Sequence, residues 1–267
     1  MRHFCFDKTR EGGYNMHKRR RRNMDTNYPE KLAQMLSKAH RAVFFGGAGV
    51  STESGIPDFR STDGLYNQQW RYPPETILSH EFFMQRTEEF YDFYRQKMLF
   101  PLAGPNPAHE ALAKLEKMGI LSAVITQNID GLHQAAGSRH VVELHGSVLR
   151  NYCTKCRKFY PVEKIIESKG IPKCDCGGTI KPDVVLYGES LPYDAIEDAV
   201  ASIQQADLLI IGGTSLSVYP AAGFVRDYDG PLVIINRSST NMDRRADLLI
   251  NAPIGQTFAA AMKILQG

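Results

Sequence analysis

The run Gly46-Gly47-Ala48-Gly49-Val50-Ser51 directly follows the apolar stretch Ala42-Val43-Phe44-Phe45. A buried strand that runs into closely spaced glycines is how α/β proteins bring bare backbone N–H groups up to a phosphate. The dinucleotide fingerprint would place a third glycine at Thr52, so the glycine spacing alone is a weak signal. The continuation Ser54-Gly55-Ile56-Pro57-Asp58-Phe59-Arg60 adds a turn, an aromatic ring and a fixed cation just past the phosphate site. A fold that only holds a nucleotide has no need of the Phe59–Arg60 pair. The pattern therefore points to chemistry performed on the nucleotide.

With 267 residues the chain can bury one large core or two modest ones. Its 43% apolar and 23% charged content is that of an ordinary globular protein. The net charge of +3 owes much to the basic run Lys18–Arg22. Residues 1–26 read as a basic, disordered tail, with contact to RNA or anionic lipid as the alternative and Met16 or Met24 as other natural starts. The remaining body is near neutral, so no nucleic-acid partner is expected. No stretch approaches a membrane span and no secretory signal is visible, so a cytoplasmic location is expected.

Helical periodicity covers Pro29–Ala39, Glu88–Met98, a segment capped by Asn106 with Pro107 at its first position, residues 193–204 and the C-terminal stretch. Between these lie strand candidates at 42–45, 121–128, 141–144, 207–213, 231–236 and 248–250. The alternation predicts a parallel sheet covered on both faces. Residues 61–105, aromatic-rich and irregular, interrupt it like an insertion.

Ligands of such sheets bind outside the carboxyl ends of the strands. Those ends are Gly46–Ser51, Gln127–Asp130, His145, Gly212–Ser215 and Asn236, each polar or glycine-rich after an apolar strand. Turn chemistry explains any one of them; five together point to a site. His145 is the favoured histidine, being a side chain able to act as a base near neutral pH. His109 and His133 fall in predicted helices and read as packing or surface residues. Cys153, Cys156, Cys174 and Cys176 form Cys-x2-Cys and Cys-x-Cys knuckles. Four thiolates suit a tetrahedral zinc ion with no open position, hence a structural one. A redox pair or incidental buried thiols are the other readings.

Taken in order, Gly47–Ser51, Ser54–Arg60, Thr126–Asp130, Leu144-His145-Gly146, the four cysteines and Gly213-Thr214-Ser215 resemble the sirtuins of bacterial type, NAD-dependent protein lysine deacylases, over residues 27–267. The resemblance implies a Rossmann-like NAD-binding domain formed by 27–60, 106–150 and 183–267. The helical insertion 61–105 and the zinc module 151–182 would form a smaller zinc-binding domain. NAD and an acetylated protein lysine would meet between the two.

By the same resemblance, Gly47, Ala48, Gly49, Thr52, Gly213, Thr214, Ser215 and Asn236 would hold the ADP-ribose part. Phe59, Arg60, Gln127, Ile129 and Asp130 would surround the nicotinamide ribose and its leaving group. Asn128 would organise the ribose and a water, and His145 would be the general base. Nicotinamide would leave, and the acetyl group would pass to ADP-ribose as 2′-O-acetyl-ADP-ribose. The segment Val184–Glu189 would pair with the backbone of the substrate peptide, as a strand addition with loose sequence selectivity.

Two departures from the family pattern stand out. The second knuckle, Cys174-x-Cys176, is shorter than usual. The sirtuins that remove acidic acyl groups carry a tyrosine and an arginine three residues apart, and the matching positions here are Tyr91 and Tyr94. Acetyl or another neutral acyl group is therefore expected. A monomer is expected, and protein ADP-ribosyl transfer or a non-catalytic NAD- and zinc-dependent module are the competing functions.

Overall fold

The computed structural model describes residues 27–59, 64–67 and 70–267. The basic tail, Cys5 and Arg60 lie outside the described residues. In chain order the elements are α1 (Tyr28–Lys38), β1 (Ala42–Gly46), α2 (Pro74–Ile77), α3 (His80–Gln85), α4 (Thr87–Lys97), α5 (Pro107–Lys117) and β2 (Leu121–Thr126). There follow α6 (Leu132–Ala135), β3 (Val141–Glu143), β4 (Gly146–Cys153), β5 (Phe159–Pro161), α7 (Glu163–Glu167) and β6 (Ile180–Val184). The chain closes with α8 (Tyr193–Gln204), β7 (Leu208–Gly212), β8 (Leu232–Ile235), β9 (Leu248–Ile250) and α9 (Ile254–Gln266).

Six strands form one sheet in the order β3-β2-β1-β7-β8-β9, and every pairing is parallel. Strands β1, β7 and β8 are buried at every position, as continuous apolar runs in a doubly covered sheet are. Side chains alternate between faces. Ala42 and Phe44 pack with α1, α5 and α9, whereas Val43 and Phe45 pack with α8 and the 216–228 segment. Each fully buried large side chain there contributes about 1.5–3 kcal/mol.

The register decides where the site can be. Gly46 pairs with Thr126 on one side and Gly212 on the other, Thr126 with Glu143, and Gly212 with Ile235. The carboxyl ends of five strands therefore stand level. The chain runs from β1 outward to β2 and β3, then returns to β7 beside β1, so the loops after β1 and β7 diverge at the switch point.

A second sheet, β5-β4-β6, is antiparallel and spans the stretch read from sequence as a zinc module, extending beyond it at both ends. Its core is shared with the insertion: Ile77, Phe82, Phe90 and Phe93 belong to one apolar cluster with Cys153, Ile165, Cys174 and Ile180. Strand β4 starts at Gly146, immediately after His145. Among the described residues no helix is long and apolar enough to cross a membrane.

The loops after β1 and β7 touch backbone to backbone. The Gly49 N–H donates to the Gly213 carbonyl at 2.8 Å, and a Cβ on Gly213, whose φ is +60°, would lie 2.4 Å from the Val50 nitrogen. A left-handed alanine alone costs about 1–2 kcal/mol, and the clash adds to it. Gly213→Ala should therefore lower stability by more than about 2 kcal/mol in denaturant unfolding. Gly104→Ala, with no atom within 4 Å of its added Cβ, should stay within about 0.5 kcal/mol of the parent. Equal unfolding midpoints for the two variants would remove this constraint.

Candidate active site

A cavity of about 1070 Å³ opens over the level strand ends. Its wall includes Gly47, Ala48, Gly49, Thr52, Phe59, Gln127, Asn128, Ile129, Asp130, His145, Gly213, Thr214, Ser215 and Asn236. The structure thus brings together every described residue that the sequence proposed for nucleotide or catalysis.

Hydrogen bonds join these loops into one framework. Gly47 N–H donates to the Gly212 carbonyl at 3.2 Å, and Gln127 N–H to the Gly46 carbonyl at 3.0 Å. The Gln127 amide donates to the Thr214 hydroxyl at 3.1 Å. Asn236 Nδ2 donates to the carbonyls of Thr214 (3.1 Å) and Ser238 (2.8 Å). Thr52 Oγ1 donates to the Gly49 carbonyl at 3.0 Å, closing the turn after β1. Phe59 packs edge-on to Tyr66, with ring centroids 5.8 Å apart.

Ser51 is at the centre of this framework, and the sequence reading passed over it. Its hydroxyl is 1% exposed, donates to Asp130 Oδ2 at 2.6 Å and accepts from Asn128 Nδ2 at 3.0 Å. A small hydroxyl two residues after a glycine run was the available signal. Asp130 Oδ1 accepts the Leu132 N–H at 2.9 Å, which opens α6. The Ile129 carbonyl already accepts the Val148 N–H at 2.9 Å.

Asn106 holds the same loop from behind. Its Nδ2 donates to the Val50 carbonyl (2.8 Å) and the Ser54 hydroxyl (3.0 Å), while its Oδ1 accepts the Ala108 N–H and caps α5. Its own N–H donates to His109 Nδ1. His109 in turn packs against His133 of α6 with centroids 4.7 Å apart, so both histidines are core residues.

His145 stands between β3 and β4, its Nδ1 2.9 Å from the Gln127 carbonyl. A carbonyl only accepts, so Nδ1 carries the proton and Nε2 is the basic nitrogen. Burial lowers the His145 pKa from its ordinary value, opposed by that backbone hydrogen bond, which keeps the ring neutral and ready to accept a proton.

The Sγ atoms of Cys153, Cys156, Cys174 and Cys176 all lie within 4.8 Å of one another. The pairs at 3.4 Å (Cys153–Cys176) and 3.6 Å (Cys156–Cys174) are far too long for disulfides and near the ~3.8 Å edge of a tetrahedron with ~2.3 Å Zn–S bonds. The four side chains are positioned to hold a zinc ion. The short second knuckle closes because Gly178 has no side chain: a Cβ there would meet Cys153 Sγ at 2.6 Å. Tyr160 donates its hydroxyl to Cys174 Sγ at 3.0 Å.

Tyr91 and Tyr94 do not line the cavity. Both are fully buried in the core shared by the insertion and the second sheet, where the Tyr91 hydroxyl donates to the Ile180 carbonyl. The insertion instead offers the cavity Leu65, Tyr66, Lys97, Met98 and Leu99, a set apolar but for the lysine, joined by Val162 and Ile166 of the cysteine module. Val184–Glu189 line the cavity too, yet the Tyr187 backbone is already engaged: its N–H donates to the Leu78 carbonyl and its carbonyl accepts the His80 N–H.

A family model described as the Sir2 family matches residues 47–220. An NAD-dependent protein deacetylase of Clostridium perfringens is 58% identical over 233 residues, spanning 85% of this chain and 96% of that protein. One of Clostridium tetani is 54% identical over 247 residues, spanning 91% and 99%. Among solved structures, a Sir2 complex with a p53 peptide and NAD+ has a TM-score of 0.78 at 42% identity, covering 88% of this chain and 97% of that one. Another, with a deacetylated p53 peptide and 3′-O-acetyl ADP-ribose, has a TM-score of 0.81 at 42% identity, covering 88% and 97%.

Ser51→Ala leaves Asn128 and Asp130 each short of a buried partner, and kcat/KM should fall by about tenfold to a hundredfold with thermal stability changed far less. An unaffected kcat/KM would show that the framework does not depend on this hydroxyl. Burial lowers His109 to about 4 and His133 to about 3, with Asp130 opposing the shift at His109 and His109 reinforcing it at His133. The unfolded histidines titrate near 6.5, so between about pH 6.5 and 4 the unfolded chain binds protons that the native one does not. Their contribution to stability is therefore complete above this window and lost as pH falls through it, by up to about 1.4 kcal/mol per pH unit for each ring. Replacing His133 by leucine should flatten the acid limb of a stability–pH curve; an unchanged limb would contradict this account.

Proposed function

The chain belongs to the Sir2 family and is an NAD-dependent protein deacetylase, and from that premise we propose how its cleft divides the work. Residues 27–60, 106–150 and 183–267 form the NAD-binding domain, and 61–105 with 151–182 the smaller domain. The separate apolar cores of the large sheet and of the second sheet with the insertion support that division.

Gly47, Ala48, Gly49 and Thr52 receive the diphosphate half of NAD; Gly213, Thr214, Ser215 and Asn236 receive the adenosine half. Phe59, Gln127, Asn128, Ile129 and Asp130 surround the nicotinamide ribose and its leaving group. Asp130 and Asn128, held by Ser51, orient the ribose as the nicotinamide bond breaks and positive charge grows on the sugar. Phe59 shields that charge from water. His145 Nε2 takes a ribose hydroxyl proton, so that this oxygen attacks the acyl carbon after the acyl oxygen has joined C1′. Nicotinamide departs when its bond to the ribose breaks, and addition of water at the end releases free lysine and 2′-O-acetyl-ADP-ribose.

The observation that carries this reading is the His145 Nδ1–H bond to the Gln127 carbonyl, which leaves Nε2 basic in the cavity wall. The apolar lining from Leu65, Met98, Leu99, Val162 and Ile166 supports a neutral acyl group. The peptide backbone would pair with the backbone groups of Val184–Glu189 that Leu78, His80, His145, Lys181 and Glu189 leave unengaged. A set of four thiols outside disulfides fits the cytoplasm.

Zinc, bound by the four cysteines, supplies a structural cross-link: Cys153 and Cys174 are buried in the core that β4, β6 and the insertion share.

His145→Ala should lose about a hundredfold or more of peptide-dependent nicotinamide release. Mass spectrometry of products from NAD and a panel of acylated peptides should show deacylated peptide and acetyl-ADP-ribose, with succinyl peptides poor substrates. ADP-ribosylated peptide as the main product would replace deacylation with ADP-ribosyl transfer. Metal analysis should find one zinc per chain, and a strong chelator should unfold the second sheet, read by circular dichroism and protease sensitivity. A chelated chain that kept its protease resistance would rule out a structural metal.

A further inference from the structure

The adenosine end of the cleft carries a free cation where NAD-binding folds commonly carry an acid. In Rossmann-type sites an Asp or Glu near the end of a strand reads the 2′-hydroxyl of NAD, and an arginine accommodates a 2′-phosphate. Here the end of β8 continues as Asn236, Arg237 and Ser238, and all three line the cavity. Asn236 ties this turn to the loop after β7 through the Thr214 carbonyl, and its N–H donates to the Ile250 carbonyl at 3.0 Å. The backbone beneath Arg237 is thus held against the loop that carries Thr214 and Ser215.

Arg237 is exposed and makes no hydrogen bond or ion pair among the described residues. The next carboxylate along the chain, Asp243, is turned inward, its Oδ1 accepting both the N–H and the hydroxyl of Thr240. The loop after β1 adds two carboxylates to the cavity wall, Asp58 and Glu53, and Glu53 has its Oε1 on the Gly255 N–H at the start of α9. What remains at this turn is the Arg237 guanidinium with the hydroxyl of Ser238, a donor set matched to a phosphate dianion.

We infer that this subsite accepts a 2′-phosphate, so that a 2′-phosphorylated dinucleotide of the NADP class occupies the cleft in competition with NAD. The inference rests on the reading of Asn236 as the residue at the adenosine ribose.

The test uses the full chain and initial deacetylation rates with an acetylated peptide. NADP+ should inhibit competitively against NAD, with an inhibition constant within about tenfold of the KM for NAD, and the inhibition should weaken as salt is raised. Arg237→Glu should raise that constant by about tenfold or more while moving the KM for NAD less than about threefold. Arg237→Lys should retain part of the effect, as a point charge without the fork. Arg237 is exposed, so both variants should fold normally, which unfolding curves check. If NADP+ fails to compete, or if Arg237→Glu weakens both dinucleotides equally, the inference falls. Asn236→Ala separates the two layers: a raised KM for NAD in this variant keeps the ribose placement even when Arg237→Glu has no effect. An unchanged KM for NAD in Asn236→Ala overturns the ribose placement itself.

Discussion

The contact on which the rest of the site depends is between two backbones. The turn after β1 and the turn after β7 meet where Gly49 donates to the Gly213 carbonyl, in space that no Cβ could share. Because β1 and β7 are adjacent and end level, this contact converts two separate strand ends into one continuous floor. The loops after β2 and β8 are then pinned to that floor by single side chains. Gln127 reaches the Thr214 hydroxyl, and Asn236 reaches the Thr214 carbonyl. Thr214 is consequently bonded from both sides before any ligand arrives.

Above that floor the electrostatics are set by hydrogen bonds that leave little orientational freedom. Ser51 holds Asn128 and Asp130 at once, and Asp130 spends its second oxygen on the start of α6. Both carboxylate oxygens of Asp130 are therefore fixed in direction by hydrogen bonds. His145 is held in one tautomer by a carbonyl that is itself part of the Gln127–Asp130 strand end. His145 is thus tied directly to the segment that carries Asn128 and Asp130. The smaller sheet is fastened differently: aromatic side chains of the insertion and two cysteines occupy one core, so metal and packing stabilise the same unit.

Much of this was legible in the chain because the signals were local. Apolar runs marked β1, β7 and β8, and the residues immediately after them were the residues of the cavity. The spacing of Cys153, Cys156, Cys174 and Cys176 announced a four-thiol cluster. What escaped had non-local causes. Ser51 looked like one more small residue of a turn until Asn128 and Asp130, nearly eighty positions away, were seen to converge on it. Tyr91 and Tyr94 match the positions of the tyrosine and arginine that mark acidic-acyl specificity, and helix α4 turns both into the core. The strands of the cysteine module were missed because polar residues break up their sequences, so no apolar run marks even the eight-residue β4. The Tyr187 backbone, free in any sequence reading, is taken by Leu78 and His80.

By itself the sequence determined the element types, the alternation that makes the sheet parallel, the residues at the strand ends and the metal-ligand set. Each follows from short-range periodicity, turn chemistry or donor type. Only the tertiary structure decided which of those residues face one another. The register sets five strand ends at one level, the glycine contact sets how closely two loops approach, and packing assigns His109 and His133 to the core while His145 faces the cleft. Those outcomes depend on distances between residues far apart in the chain, which burial and close packing fix only once the whole sheet is assembled.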